Sequence, residues 1–264
     1  MAAVRSPLIN VMVRAAEKAA RSLVRDFGEV EQLQVSKKGP ADFVSSADIA
    51  AERIIRAELE KSRPDFGFLM EESGKTGPRN ARDRWIVDPL DGTTNFLHGL
   101  PHWSISIGAE IDGAVAAGVV YDPVKDELFW AERGQGAYVN SKRLRVSGRR
   151  EMDKALLATG MAFKGRALPP HYLRELENAM GETAGVRRFG SAALDLAYVA
   201  AGRYDGFWEH GLQPWDTAAG MIIVTEAGGF VTVIDGGTNP VFGASVLASN
   251  PLLHRPLIEL LGRT

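Results

Sequence analysis

The chain has 264 residues, with 31 Lys and Arg against 33 Asp and Glu for a net charge of -2, and no cysteine. So balanced a charge gives no electrostatic case for nucleic acid as the main partner, and the lack of cysteine excludes thiol nucleophiles, disulfides, thiolate zinc sites and cysteine-ligated iron–sulfur clusters. Apolar residues make up 45%, enough for a substantial core. No apolar run is long enough to span a bilayer and no signal core opens the chain, so a cytoplasmic protein without membrane contact is expected.

Ser6-Pro7 is a helix start, a capping serine before proline at the first helical position. Leu8, Val11, Met12, Ala15, Ala19 and Leu23 follow at helical spacing and Gly28 ends the run. Val30 to Val35 is expected to be extended. Ser45 or Ser46 can cap the next helix, with Asp48 in its first turn, where the dipole stabilises an acid. Phe66 to Met70 predicts a buried strand that delivers Glu71-Glu72 at its carboxyl end, where ligands sit in open α/β sheets. Gly74 to Asp83 is expected to be a loop.

Trp85-Ile-Val predicts another strand, stopped by Asp88-Pro89 because proline cannot continue a ladder. Asp88 and Asp91 stand three residues apart with no basic neighbour between them, and such a pair repels unless a cation or proton intervenes. Gly92 permits a backbone path closed to other residues, and Thr93, Thr94 or Asn95 can cap a helix whose free N–H groups suit a phosphate. Ser104–Ala109 and Ala114–Tyr121 form a hairpin through Asp112-Gly113, and Leu128–Ala131 and Ala137–Val139 continue the meander. Lys142, Arg143, Arg145, Arg149 and Arg150 form a basic cluster, read as a solvated edge.

The second half opens with a strand at Leu156–Thr159, a loop at Gly160–Pro170 and a helix over Tyr172–Met180. Ser191 can cap a helix running to Ala201. Asp205–Glu209 is a strand, and Gln213-Pro214 opens a helix with Asp216 in its first turn, ended by Gly228-Gly229. Phe230–Ile234 and Ser245–Ala248 are strands, and Asn250-Pro251 starts the last helix. His98, His102, His171, His210 and His254 show no metal spacing on one helical face and are read as ordinary polar residues.

The candidate site is therefore one of oxygen ligands: Glu71, Glu72, Asp88, Asp91 and Asp216. Hard cations, Mg²⁺ or Mn²⁺, fit such a set, and a pair of them about 3.5–4 Å apart suits phosphoryl transfer to water. No nucleotide-binding glycine loop or kinase signature is present.

Asp88-Pro-Leu-Asp-Gly-Thr-Thr-Asn-Phe96, preceded by Trp85-Ile-Val, resembles the first signature of the inositol monophosphatase family. Trp215-Asp-Thr-Ala-Ala-Gly-Met-Ile-Ile-Val-Thr-Glu-Ala-Gly-Gly229 resembles the second. Glu71-Glu-Ser, Asp42-Phe-Val-Ser-Ser-Ala-Asp48 and Gly190-Ser-Ala-Ala193 match in the family's order. The resemblance implies an α+β fold, a layered α/β/α/β/α sandwich shared with fructose bisphosphatases. It is expected over 1–264 as a single catalytic domain, metal signatures in about 1–150 and substrate-side residues in about 151–264.

The implied activity is Mg²⁺-dependent, Li⁺-inhibited hydrolysis of a small phosphorylated polyol, myo-inositol 1-phosphate foremost, with two or three ions bound. By resemblance Glu71, Asp88 and the Leu90 carbonyl hold one metal, and Asp88, Asp91 and Asp216 hold another. Glu71 and Thr93 orient the attacking water, with Asp48 behind Thr93. Gly92 and Thr93 hold phosphate oxygens, and Gly190, Ser191, Ala192 and Glu209 meet the alcohol. Glu72 and Lys37 match positions without a defined role. A homodimer is also implied.

The Gln213-Pro214 pair departs from animal inositol enzymes beside the sugar pocket. That leaves open a sugar bisphosphate, histidinol phosphate or a nucleotide phosphate as substrate. A regulatory RNA- or protein-binding member of the family is the rival from another class.

Overall fold

The computed structural model describes residues 4–29, 35–39, 42–161, 170–238 and 241–263, without the side chains of 35–39 and 42–45. Two helices open the chain, α1 (Pro7–Phe27) and α2 (Ser46–Ser62), on either side of a short antiparallel pair, β1 (Val35–Gly39) and β2 (Asp42–Ser45). The Ser6 hydroxyl caps α1, accepting from the Ile9 N–H at 3.2 Å. The apolar stripe of α1 is buried from Leu8 to Leu23 against α2 and the first large sheet.

That sheet contains β3 (Gly67–Met70), β4 (Gly74–Thr76), β5 (Arg84–Asp91), β6 (Ser104–Ile111), β7 (Ala114–Asp122), β8 (Glu127–Glu132), β9 (Gly136–Val139) and β10 (Lys142–Arg143). Its order is β10-β9-β8-β7-β6-β5-β3-β4, antiparallel except where β3 meets β5. The turn joining β6 to β7 has positive φ at both Asp112 and Gly113, the twist-matched hairpin expected of an Asp-Gly pair. Strand β4 lies in the stretch expected to be loop. Three residues at a sheet edge carry too short a pattern to signal themselves.

The second half builds a smaller sheet from β11 (Leu156–Thr159), β12 (Gly185–Arg187), β13 (Gly206–His210), β14 (Phe230–Thr232) and β15 (Ser245–Ser249), ordered β12-β11-β13-β15-β14. Helices α5 (Ala192–Ala200) and α6 (Pro214–Glu226) fill the space between the sheets, buried on nearly all sides. Helix α6 lies so close to β7 that a Cβ on Gly118 would sit 2.6 Å from the Ala219 carbonyl oxygen. Helices α4 (Tyr172–Glu182) and α7 (His254–Leu261) cover the outer face of the small sheet. The last helix begins at His254 rather than at Asn250-Pro251. The Asn250 side chain instead accepts from the Leu252 and Leu253 N–H groups to hold a turn ahead of it.

The layers are thus α1/α2, large sheet, α5/α6, small sheet, α4/α7, the expected α/β/α/β/α sandwich. Both large cores pack against the strand that carries Asp88: Trp85 and Val87 point into one, Ile86 into the other. Expectations for Val30–Gln34 and for most of the Gly160–Pro170 loop lie outside the described residues.

Candidate active site

Pro89 does not end its strand, as the sequence suggested; β5 runs on to Asp91. The reason is local. Strand β5 pairs with β3 only as far as Val87, so beyond it no neighbour on that side needs the missing N–H. On the other side Asp88 pairs with Ser106 and Asp91 with Ser104, so three steps on β5 match two on β6. This bulge re-aims the strand end, and bulges recur beside active sites. The Asp88 side chain accepts from the Leu90 N–H at 2.9 Å, folding the carboxylate over the bulge.

Gly92 then turns the chain at φ 93°, and α3 (Thr93–Leu97) begins. Gly92 itself occupies the capping position, so no Thr or Asn side chain caps this helix. A Cβ there would lie 3.1 Å from the His102 carbonyl oxygen and 3.3 Å from that of Gly190, so the position requires glycine twice over. Asn95 donates to the carbonyls of His102 at 2.8 Å and Phe189 at 2.7 Å, tying α3 to the loop before α5. Behind it Phe96 meets Trp103 edge-on at 5.1 Å, which anchors the helix from below.

The freed Thr93 hydroxyl lies 3.2 Å from the Asp48 carboxylate of α2 and 3.0 Å from the Leu90 carbonyl. Asp48 is almost wholly buried, so its place in the first turn of α2 and its reach to Thr93 are one arrangement. The Ser191 hydroxyl does not cap α5. It donates to Asp91 at 2.5 Å, and the Ala193 N–H donates to the same oxygen at 2.8 Å. Asp216 is in the first turn of α6, where its carboxylate accepts the Gln213 N–H at 2.7 Å in a reciprocal capping box.

These elements enclose a cavity of about 150 Å³ lined by Glu71, Asp88, Leu90, Asp91, Gly92, Thr93, Gly190, Ala192, Glu209 and Asp216, among others. Asp48 and Ser191 stand behind this lining through their bonds to Thr93 and Asp91. Glu72 is elsewhere. It lines a separate hollow with Glu52, Arg53 and Arg56. The Lys37 side chain is outside the described residues.

Four carboxylates therefore converge from three different parts of the chain. Burial raises the pKa of Asp88 well above the carboxylate range, and the charges of Glu71, Asp91 and Asp216 raise it further. A hydrogen bond between Asp88 and Glu71 pushes the same way, which requires a proton held between two acids. Asp91 rises to about 6 through burial, held back by the bonds from Ser191 and Ala193. Among the described lining residues Arg188 is the one cation. Oxygen donors this dense, backed by a carbonyl, fit a hard divalent cation.

Six lining residues were not singled out in the sequence as site residues: Thr94, Asn95, Gly160, Met161, Arg188 and Leu212. Asp195 was missed too. It is buried in α5 with one oxygen lacking a hydrogen-bond partner. Burial, then the charges of Glu209 and Asp91, raise its pKa well above the usual range. An acid in the first turn of a helix carries no sequence signal that would single it out.

Sequence comparison matches residues 4–263 to the Inositol monophosphatase family. The chain belongs to the inositol monophosphatase family. It is accordingly a phosphoric monoester hydrolase. Inositol-1-monophosphatase of Mesorhizobium japonicum is 57% identical over 255 residues, 97% of this chain and 96% of that one. The Escherichia coli protein named Nus factor SuhB is 45% identical over 252 residues, 96% of this chain and 94% of its own length. The crystal structure of extragenic suppressor protein suhB from Bartonella henselae superimposes with TM-score 0.93 at 56% identity, covering 98% of this chain and 99% of that one. Among the described residues no helix is long and apolar enough to cross a membrane.

Proposed function

We propose that this protein hydrolyses myo-inositol 1-phosphate to inositol and phosphate with Mg²⁺. The observation that carries the reading is the convergence of Glu71, Asp88, Asp91 and Asp216 on one cavity, close enough that the other three charges raise the pKa of Asp88. Glu71, Asp88 and the Leu90 carbonyl would hold one ion, and Asp88, Asp91 and Asp216 another; two or three ions in all would serve. Bound there, Mg²⁺ supplies charge for the phosphate oxygens and acidifies a water for attack. Mn²⁺ suits the same donors.

The chain's own groups supply the rest. Glu71 orients the attacking water. Thr93 Oγ1 receives a proton from that water as it passes its own to Asp48 Oδ1, 3.2 Å away. The N–H groups of Gly92 and Thr93 hold phosphate oxygens. Gly190, Ser191 and Ala192 border the alcohol, and Glu209 accepts from its hydroxyls. Arg188 offsets the negative charge on that side. All of these act within one catalytic domain, in a homodimer in the cytoplasm. Neither Glu72 nor Lys37 is given a role.

Phosphate release from myo-inositol 1-phosphate is expected to need Mg²⁺, to fall with added Li⁺ and to exceed release from histidinol phosphate, fructose bisphosphate or a nucleotide. A preference for one of those would replace the substrate and keep the chemistry. The name of the Escherichia coli relative supports a second reading, a role in transcription through RNA or protein contact. Lys142, Arg143, Arg145, Arg149 and Arg150 are all exposed and would be its surface. Retarded migration of RNA, abolished by reversing Lys142 and Arg143, would favour it.

A further inference from the structure

Away from the acidic cavity, three side chains meet that the sequence kept apart. His171 and Glu175 stand four residues apart at the start of α4, and His210 ends β13. Glu175 Oε1 is 3.4 Å from His171 Nε2, and Glu175 Oε2 is 2.9 Å from His210 Nε2. All three ligand atoms lie within 4.8 Å of one another. The Glu175 side chain is only 2% exposed, and its one other described contact is the Trp208 indole N–H at 3.2 Å. No Lys or Arg pairs with it among the described residues. A buried carboxylate that meets two imidazoles as its counter-charges among the described residues is costly unless they are protonated or a cation joins them.

We propose that His171, Glu175 and His210 form a second metal site, for a borderline divalent ion of the Zn²⁺ class. Imidazole nitrogen favours such ions, whereas the Mg²⁺ expected at the acidic cavity prefers oxygen. Bonds of about 2.0–2.1 Å in a tetrahedron put ligand atoms about 3.3 Å apart, near the two carboxylate–imidazole separations of 3.4 and 2.9 Å. The Trp208 N–H donates to Glu175 Oε2 and holds the carboxylate in place, as supporting bonds do at metal sites. His171 is 62% exposed and can swivel onto the ion, leaving a fourth position open to solvent.

The site ties α4 to β13 next to the cavity. His210 follows Glu209, and Tyr172, beside His171, donates to the Gly160 carbonyl at 2.6 Å. Gly160 in turn lies against the Glu209 carboxylate, where a Cβ would come within about 2 Å. Occupancy therefore stiffens the Glu209 wall of the cavity from outside it.

The test uses the Asp88→Asn protein, so that the acidic cavity does not compete. Isothermal titration with Zn²⁺ in excess Mg²⁺ is expected to give one ion per chain, with a rise in melting temperature. Co²⁺ is expected to add visible d–d absorption. His171→Ala, an exposed change that leaves the fold intact, and His210→Ala should each weaken Zn²⁺ binding at least tenfold and abolish the Co²⁺ spectrum. Zn²⁺ affinity unchanged in His171→Ala would overturn the proposal. So would failure of the parent protein to take up Zn²⁺ at micromolar concentration, which would leave protons as the counter-charge of Glu175.

Discussion

Asp91→Asn is expected to stabilise the metal-free protein while removing its activity. Asp91 is buried and its pKa is raised from 3.8 to about 6. The folded state thus holds the proton more tightly than the unfolded chain. Stability falls as pH rises from 3.8 through about 6, and above that window the loss is complete. Each pKa unit is worth about 1.4 kcal/mol, so keeping Asp91 ionised near neutrality costs about 3 kcal/mol. Asparagine never carries the charge, and its one carbonyl oxygen can accept both the Ser191 hydroxyl and the Ala193 N–H, which already share one oxygen.

In urea with a chelator, the variant should gain about 3 kcal/mol at about pH 8. The gain should shrink towards nothing at acid pH. In melting temperature that is roughly 6–12 °C. Added Mg²⁺ should reverse the order, because an ion at about 1,000 times its Kd adds about 4.1 kcal/mol to the protein that binds it. A variant no more stable than the parent at about pH 8 in chelator, or one with the same pH slope, would refute the burial penalty inferred for the Asp91 charge.

Thr93→Val should lower kcat by about 10²–10⁴ with KM little changed, because it removes a proton carrier and little else; steady-state kinetics decide. Gly92→Ala forces a Cβ onto φ 93° against two carbonyls, and chemical denaturation should show a loss of about 1–3 kcal/mol along with activity. Gly160→Ala pushes the Glu209 carboxylate aside, so KM should rise more than kcat falls, and Glu209→Gln should copy that pattern. Asp195→Asn is expected to stabilise the fold above the ordinary carboxylate range, since burial raises the Asp195 pKa; urea titration against pH should show the gain growing with pH.

How much of this was legible in the sequence depended on distance along the chain. The α1 stripe, the Asp112-Gly113 hairpin and the small-residue α6 follow from local pattern and are present as expected. The acids after β3 and within β5 stood out because paired carboxylates without a basic neighbour are costly. Pro89 misled, since its effect depends on whether a partner strand needs the N–H, and that partner, β3, stops at Val87. Ser191 and Thr93 looked like helix caps. Their hydroxyls go instead to Asp91 and Asp48, 100 and 45 residues away in sequence. Edge strands β4 and β12, three residues each, carry no period. The histidines were dismissed for want of His-to-His helical spacing, yet His171 shares a helical face with a glutamate and meets His210 only through the sheet.

The central claim is that Glu71, Asp88, Asp91 and Asp216 act together as the cradle of a metal that drives hydrolysis. Its most direct test is phosphate release from myo-inositol 1-phosphate as a function of Mg²⁺, in the parent protein and in Asp88→Asn. The account predicts saturable Mg²⁺ dependence in the parent and near-complete loss in the variant at every Mg²⁺ concentration. Equal turnover in the two proteins, or turnover indifferent to Mg²⁺, would contradict it.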